Sequence, residues 1–493
     1  MKSSVPALRI REVNASPVNP KGDFVLYWMV AFRRIHWNFS LQRAVDWARE
    51  LGKPLLILEA LRIDYPWASD RFHRFILDGM KDNALDTANR ALYYPFVETW
   101  IGQGKGLLAA LGGRACVTVT DDFPCFFIPR MVEAAARKLD IRLEQVDSNG
   151  LLPLRRADRA FTTAYAFRRF LQKTLPGELL ENPEPDPLSA LDLKPLPVLP
   201  KDTARKWPMA TPDLLKGNRA FLRHLPMDHE VEAADLRGGA CMAREILATF
   251  LKHRLAGYPE RRNQPDIEGT SGLSPFLHFG HLSVHQIFHL LSEQEKWHPG
   301  RLSERAAGGR TGWWGMSEPA EAFLDQLVTW REVGFNLCGR RADYDRYESL
   351  PDWALKSLAA HKMDRRPFLY DLEAFKGART HDPLWNAAQG QLLREGRMHN
   401  YLRMLWGKKI LEWSPSPEKA LKTMIELNNR YALDGRDPNS YSGIFWVLGR
   451  YDRAWGPERP VFGKVRYMSS ENTARKFRVR DTIKKYGGLQ DPI

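Results

Sequence analysis

Three tryptophans, Trp385, Trp406 and Trp413, stand close together in the chain, with Arg403 among them and Asn428, Asp434 and Asp437 shortly after. Each buried indole N–H needs a partner, so tryptophans are demanding core residues. Several of them beside a fixed cation, an amide and carboxylates suit a planar, partly charged, redox-active cofactor; an aromatic helical core has the same residues, and their types alone leave both readings open. Gln326 and Trp330 form a second set, four apart and therefore on one face of a helix, where an aromatic either packs or offers a stacking surface. A third set is Thr270, Ser271, Gly272 and Ser274, around Leu273. Small hydroxyls and glycine just before a helix present donors to a phosphate, although an ordinary capped helix start has the same composition.

The elements that must position these groups are legible in outline. Asp382-Pro383 opens a helix that ends at Gly396, a suitable left-handed stop. A second helix runs from about Asn400 to Trp413 and halts at Ser-Pro-Ser-Pro. On it Leu402, Trp406, Ile410 and Trp413 form one apolar face, with Arg403 and Met404 beside it. Earlier, residues 24–150 alternate short apolar runs (Phe24–Met29, Pro54–Leu61, Tyr93–Glu98, Cys116–Asp121, Ile141–Asp147) with helical stretches (Leu41–Leu51, Arg74–Asn89, Pro129–Leu139). That rhythm predicts an α/β domain, a parallel sheet with helices on both faces. The Gly-x-Gly within Ile101–Gly106 is not a dinucleotide fingerprint, since no full Gly-x-Gly-x-x-Gly follows a strand. Pro176 to Pro212 carries nine prolines and is expected to pack into neither sheet nor helix, serving as an extended connector. Beyond it, Glu230–His253 and Leu282–Gln294 have helical spacing and strand alternation is nearly absent. The expected division is 1–175 α/β, 176–215 linker and 216–493 all-helical.

At 493 residues the chain can build two or three cored domains. It has no apolar run of the roughly 18 residues that a membrane span needs, and Met1–Asn14 has no signal-peptide pattern, so a cytoplasmic protein is expected. Cys116, Cys125, Cys241 and Cys338 are far apart, which predicts buried thiols in a reducing compartment and no metal site. The formal charge of +14 points to a polyanionic partner. From Gly449 to Ile493 there are eleven Lys and Arg against five acids, a solvated basic face or a phosphate-contacting one.

Four ordered motifs, DPLWNAAQ, RMHNYLRMLWGKKILEW, LNNRYALDGRDPN and RPVFGKVRYM, closely resemble the flavin-binding core of class II photolyases in the photolyase/cryptochrome family, and a weaker resemblance covers nearly the whole chain. It implies a Rossmann-like antenna domain followed by an all-α FAD domain, and light-driven repair of cyclobutane pyrimidine dimers in DNA by electron transfer from reduced FAD. TSGLSP with LHFG is similar to the segment that cradles the FAD pyrophosphate, which assigns Tyr258, Thr270, Ser271, Leu273 and Ser274 to the cofactor. Arg403 would lie beside the isoalloxazine, Asn428 would face flavin N5, and Asp434, Arg436 and Asp437 would close the pocket. Trp406 would be next to the flavin, with Trp385 beyond it and Trp413 close by as an electron relay. Gln326, Trp330, Met404 and Trp446 would line the pocket for a flipped-out dimer, and Arg453 and Arg466 would hold the DNA. A monomer is expected. Some members hold a second antenna pigment, a deazaflavin or a folate.

Several positions depart from the class II pattern. Dimer-repairing photolyases carry Glu where this chain has Gln326; an amide can donate a hydrogen bond but cannot transfer a proton. Asn400 replaces a usual Gly and Tyr451 a usual His, and Tyr27–Leu41 lacks the acidic, glutamine-rich turn of class II, which leaves the antenna pigment open. These departures keep a cryptochrome-like blue-light photoreceptor in view as the main alternative, with a light-independent DNA-binding flavoprotein as a third.

Overall fold

The computed structural model describes residues 3–488. The chain divides into two compact units: Met1–Asp158 with Thr174–Ala248 and Leu273–Pro299, and Arg159–Lys173 with Thr249–Gly272 and Gly300–Ile493. These units are discontinuous in sequence, unlike the linear division expected above. Residues 237–239 join the first because Arg237 and the Gly238 N–H both bind the carboxylate of Asp78, while the Gly239 N–H donates to His281. Residues 161–172 join the second through the Arg168–Asp325 ion pair and the Phe161 N–H donating to Asn336.

The first unit holds a six-stranded sheet: β1 (Ile10–Glu12), β2 (Phe24–Met29), β3 (Leu55–Leu61), β4 (Leu92–Val97), β5 (Ala115–Asp121) and β6 (Leu143–Val146), in the order β1-β6-β5-β2-β3-β4. All pairings are parallel except the edge strand β1, which runs antiparallel to β6. Helices α1 (Phe39–Leu51), α2 (Asp70–Thr87), α3 (Leu107–Gly112) and α4 (Ile128–Ala136) make the connections. Val25, Tyr27, Met29, Leu55 and Ile57 pack against Phe39, Leu41, Val45 and Trp47 of α1. The alternate residues Phe24, Leu26, Leu56 and Leu58 are equally buried, so the sheet is covered on both faces, as a parallel sheet requires. At the switch in strand order between β2 and β5, where doubly wound sheets open a crevice, Asp121 accepts from the N–H groups of Val30, Ala31 and Phe32 and from the Tyr27 hydroxyl.

The proline-rich stretch corrects the expectation of an unpacked connector. Pro176 lies inside the helix Ala164–Glu178, and short helical turns form at Pro187–Ala190, Lys201–Lys206 and Pro212–Leu215. Leu188 enters the core under α1. Trp207 is buried, its indole donating to the Gln103 carbonyl while its own carbonyl accepts from Tyr94. Proline removes a donor but keeps an acceptor and is preorganised for the first helical turn; here the Pro185 carbonyl accepts from Trp37, and the Ala210 N–H donates to Pro95 of β4. The stretch is a strap laid on the α/β unit.

Two helical expectations also shift. Residues 230–239 are not helical; the helix begins at Ala240, after the Gly238-Gly239 pair, and passes into a π-helical turn at Phe250–Arg254. The helix face expected to carry Gln326 and Trp330 falls on a segment that is α-helical at Glu318–Leu324, π-helical at Asp325–Trp330 and α-helical again at Arg331–Arg340. Cys241 is exposed, because it starts the Ala240–Thr249 helix where its N–H is tied to Asp82. Among the described residues no helix is long and apolar enough to cross a membrane.

Candidate functional site

The second unit positions most of the candidate groups on four helices: Asp325–Trp330 with its α-helical flanks, Pro383–Glu395, Asn400–Trp413 and Pro417–Tyr431, with Pro438–Val447 beside them. Pro383–Glu395 starts because the Asp382 carboxylate accepts from Leu384 and Trp385 N–H, and stops at Gly396, whose φ of 66° is left-handed. Asn400–Trp413 starts at His399, whose ring accepts from the Tyr401 N–H; burial pushes His399 down to about 4. Leu402, Trp406, Ile410 and Trp413 are all buried.

Each of the three indoles is held. Trp385 is fully buried and donates to the Trp406 carbonyl at 3.1 Å; Trp406 donates to Gln389 Oε1 at 2.9 Å. The Trp385 and Trp413 rings meet edge-on at 6.0 Å, and Trp413 in turn meets His381 at 4.9 Å and Tyr370 at 5.7 Å. His381 is exposed and bonded to the Tyr370 hydroxyl. Aromatic rings thus run without a gap from the Pro383–Glu395 helix to solvent. His381 and Tyr370 were missed in the sequence, where only their place before Asp382 could have drawn attention.

A polar cluster joins Asn428, Asn429, Arg436 and Ser440, and Arg403 on the Trp406 helix reaches Asp434. Arg403 is half-buried and pairs with Asp434 at 3.0 Å. Arg436, buried and at a left-handed φ of 62°, has its N–H donating to Asn429 Oδ1 and its guanidinium donating to the Asn429 carbonyl. Because Asn429 Oδ1 is an acceptor already fixed by a backbone N–H, the Asn428 atom facing it must be the amide nitrogen, which also donates to Ser440 Oγ. Asn428 Oδ1 is therefore left as an open acceptor, with no described residue donating to it. Asp437 spends its carboxylate capping the Pro438–Val447 helix through Asn439 N–H.

Trp330 and Trp446 stack with ring centroids 4.5 Å apart and planes 13° from parallel. Their helices meet closely: a side chain on Gly334 would sit 2.7 Å from the Pro438 carbonyl. Gln326 is half-buried on the π-helical turn, a rare geometry often found at functional sites, and no described residue hydrogen-bonds its side-chain amide. Met404 is half-buried on the helix of Trp406.

The phosphate-cradle candidates flank the point, between Gly272 and Leu273, where the chain passes from the second unit to the first. Tyr258 lies buried between Phe250 and Phe323, edge-on to both, with its hydroxyl near Arg262; burial raises its pKa. The Thr270 hydroxyl donates to Glu268, and Gly272 adopts φ 73°. Leu273, buried, and Ser274, exposed, belong to the first unit, whereas Tyr258, Thr270 and Ser271 belong to the second.

Lys408 is a residue sequence reading passed over. It is buried and donates to the Val447 carbonyl, tying the Trp406 helix to the C-terminal end of the Trp446 helix, where a cation is favoured. Burial pushes its pKa down to about 7, with Arg466 lowering it further and Asp452 raising it. A depressed amine is charged in the unfolded chain but not in the folded one between about pH 7 and the ordinary lysine value, so the folded state binds fewer protons and gains stability as pH rises through that window. Between pH 7 and 8.5 this group contributes about 1–2 kcal/mol of added stability, from the roughly 1.4 kcal/mol that each pKa unit represents. Lys408→Met loses that gain; equal pH dependence of urea unfolding in parent and variant would rule the assignment out.

Arg453 and Arg466 place their guanidinium groups over Trp455, at 4.7 and 5.4 Å from its ring. Trp455 is 37% exposed and anchored by its indole N–H to Asp452, so two cations lie against a partly exposed indole. Trp455 was passed over in the sequence, where an aromatic within a basic run could have drawn attention to it.

No family model matches the chain. It is 34% identical over 99% of its length, and 100% of the relative's, to deoxyribodipyrimidine photo-lyase of Methanothermobacter thermautotrophicus. The enzymes of the same name from Oryza sativa subsp. japonica and Potorous tridactylus are each 32% identical, over 96% and 93% of this chain and 88% and 80% of their own. A solved bacterial class III photolyase from Agrobacterium tumefaciens superposes with a TM-score of 0.67 at 17% identity, covering 96% of this chain and 87% of its own, a likeness of fold. With full-length similarity at this level, the chain belongs to the deoxyribodipyrimidine photo-lyase family.

Proposed function

We propose that this protein splits cyclobutane pyrimidine dimers in DNA under blue light, with FAD as its resident cofactor in the helical unit and the α/β unit as its antenna domain. What carries the reading is the polar cluster around Asn428, in a chain similar from end to end to enzymes named deoxyribodipyrimidine photo-lyase. The polar groups fit a flavin: Asn428 Oδ1 is held open to accept an N–H, and Arg403 brings a guanidinium held in place by Asp434. FAD, bound and reduced, supplies the photoexcited electron. The remaining work falls to the chain. Asn428 favours a protonated ring nitrogen by accepting from it, and Arg403 favours negative charge. Tyr258, Thr270, Ser271, Leu273 and Ser274 are assigned to the pyrophosphate, and Trp406, Trp385 and Trp413 to electron supply from solvent.

Trp330 and Trp446 present stacking faces for an extruded dimer, which cannot reach a buried cofactor while it remains in the duplex. Met404 and Gln326 complete that pocket, the amide of Gln326 donating to a dimer carbonyl. Arg453 and Arg466, both against the Trp455 ring, hold phosphates and so position DNA without reading its sequence. The protein acts as a monomer in the cytoplasm.

Gln326 favours one second reading, a blue-light photoreceptor of the same family, because it cannot pass a proton to the lesion. The deciding measurement uses protein with fully reduced flavin and a single-stranded oligonucleotide bearing one cyclobutane dimer. Dimer loss that requires both light and protein is the expected result. Dimers that persist although flavin is bound and reduced would hand the site to the photoreceptor reading.

A further inference from the structure

A groove of about 1050 Å³ lies in the second unit, lined by none of the residues assigned above to lesion or cofactor. One wall is Glu260–Ile267, the other Ala474–Ile483. The walls are pinned to each other. Asp266 accepts from the Asp481 and Thr482 N–H groups and the Thr482 hydroxyl, and Gln264 Oε1 accepts from the Arg478 N–H. The groove is therefore preformed, and no rearrangement is needed to present its side chains.

Its charge is what calls for a ligand. Five cations line it, Arg261, Arg475, Lys476, Arg478 and Arg480, all exposed. None of the five makes an ion pair with a carboxylate of any described residue, and Asp266 is committed to the wall. The cations just outside behave differently: Arg397 pairs with Glu268 and Glu395, Arg254 with Glu268, and Lys485 with Glu395. Three acids also line the groove, Glu260, Asp266 and Asp481, yet none of them pairs with these five cations. Ile267, Phe477, Val479 and Ile483 add apolar surface between the charges. Solvated positive charge ranged along an open channel, interleaved with apolar side chains, suits a phosphodiester backbone with its sugars, whose regularly spaced anions can meet several cations at once.

We infer that this groove is a second nucleic-acid track, which holds the DNA backbone outside the damaged site. The inference rests on the DNA-repair reading for the identity of its polyanion. Phosphate contacts carry no lesion or sequence information, so the groove adds affinity for damaged and undamaged DNA alike.

The test is the triple variant Arg475→Gln/Arg478→Gln/Arg480→Gln, whose altered side chains are exposed, with its thermal unfolding compared to the parent. Binding to two duplexes, identical but for one cyclobutane dimer, is measured across salt concentration. Three lost phosphate contacts lower the slope of log affinity against log salt by about 2–3, at roughly 0.9 per contact, equally for both duplexes, so that their affinity ratio is unchanged. Unchanged slopes in a folded variant overturn the groove, as does a loss confined to the damaged duplex. A parent that splits no dimers, combined with a lowered slope in the variant, removes the repair reading and leaves the groove standing.

Discussion

Trp385→Phe is expected to hold flavin and to lose its photoreduction. In the parent, blue light with an external thiol should convert bound oxidised flavin to its reduced form; in the variant this conversion falls to the slow background. Trp385 is fully buried, joined to the Trp406 backbone by its indole N–H and to the Trp413 ring at 6.0 Å. It is therefore the middle station between the polar cluster and the exposed His381–Tyr370 end of the aromatic run. Phenylalanine keeps most of the packing but is far harder to oxidise than indole. The structural cost is the lost hydrogen bond, about 1 kcal/mol, plus a small cavity, and flavin stoichiometry and unfolding temperature report it separately. Dimer splitting should survive when flavin is reduced chemically beforehand, because the relay serves only the supply of electrons. Photoreduction at the parental rate in Trp385→Phe would remove the indoles from that role.

The relay helices were legible because their punctuation is local. Asp-Pro at 382–383, Gly396 and Ser-Pro-Ser-Pro after Trp413 act within a turn of where they stand, and both helices fall on the expected residues. The sheet was legible for a related reason: strands buried on both faces are unbroken apolar runs. β1 was not, since Ile10-Arg11-Glu12 has no such run and is a strand only because β6 offers an edge. The proline-rich strap misled because composition reports what a segment cannot donate, whereas its carbonyls and Leu188 are what bind it. The π-turn at Asp325–Trp330 leaves no mark on a 3.6-residue pattern. Asn428 was singled out by type, but the direction of its amide depends on Asn429, Arg436 and Ser440 together. In sequence Lys408 is one of many cations, and only tertiary structure ties it to the Val447 carbonyl.

The largest effect on splitting itself is expected at Gln326. Its amide makes no bond to any described residue, so it is available to a dimer carbonyl, whose oxygen turns strongly basic once the dimer takes up an electron. A hydrogen bond to a charged acceptor contributes about 1.5–3 kcal/mol, so Gln326→Ala should slow splitting by roughly 10- to 150-fold, while undamaged DNA binds as before. Gln326→Glu separates donation from proton transfer. A glutamic acid donates only while protonated, and its ordinary pKa is about 4.3, raised by partial burial and by the negative charge it faces. Splitting by the Glu variant should accordingly be strongest at acidic pH and fall as pH rises through that raised value, whereas the amide of the parent has nothing to titrate and should stay level across the same range. An acid profile that exceeds the parent would mean that proton transfer, not hydrogen bonding alone, limits the reaction here. Parental splitting in Gln326→Ala would mean that this side chain never meets the lesion, and the π-turn would then owe its shape to packing of Trp330 against Trp446.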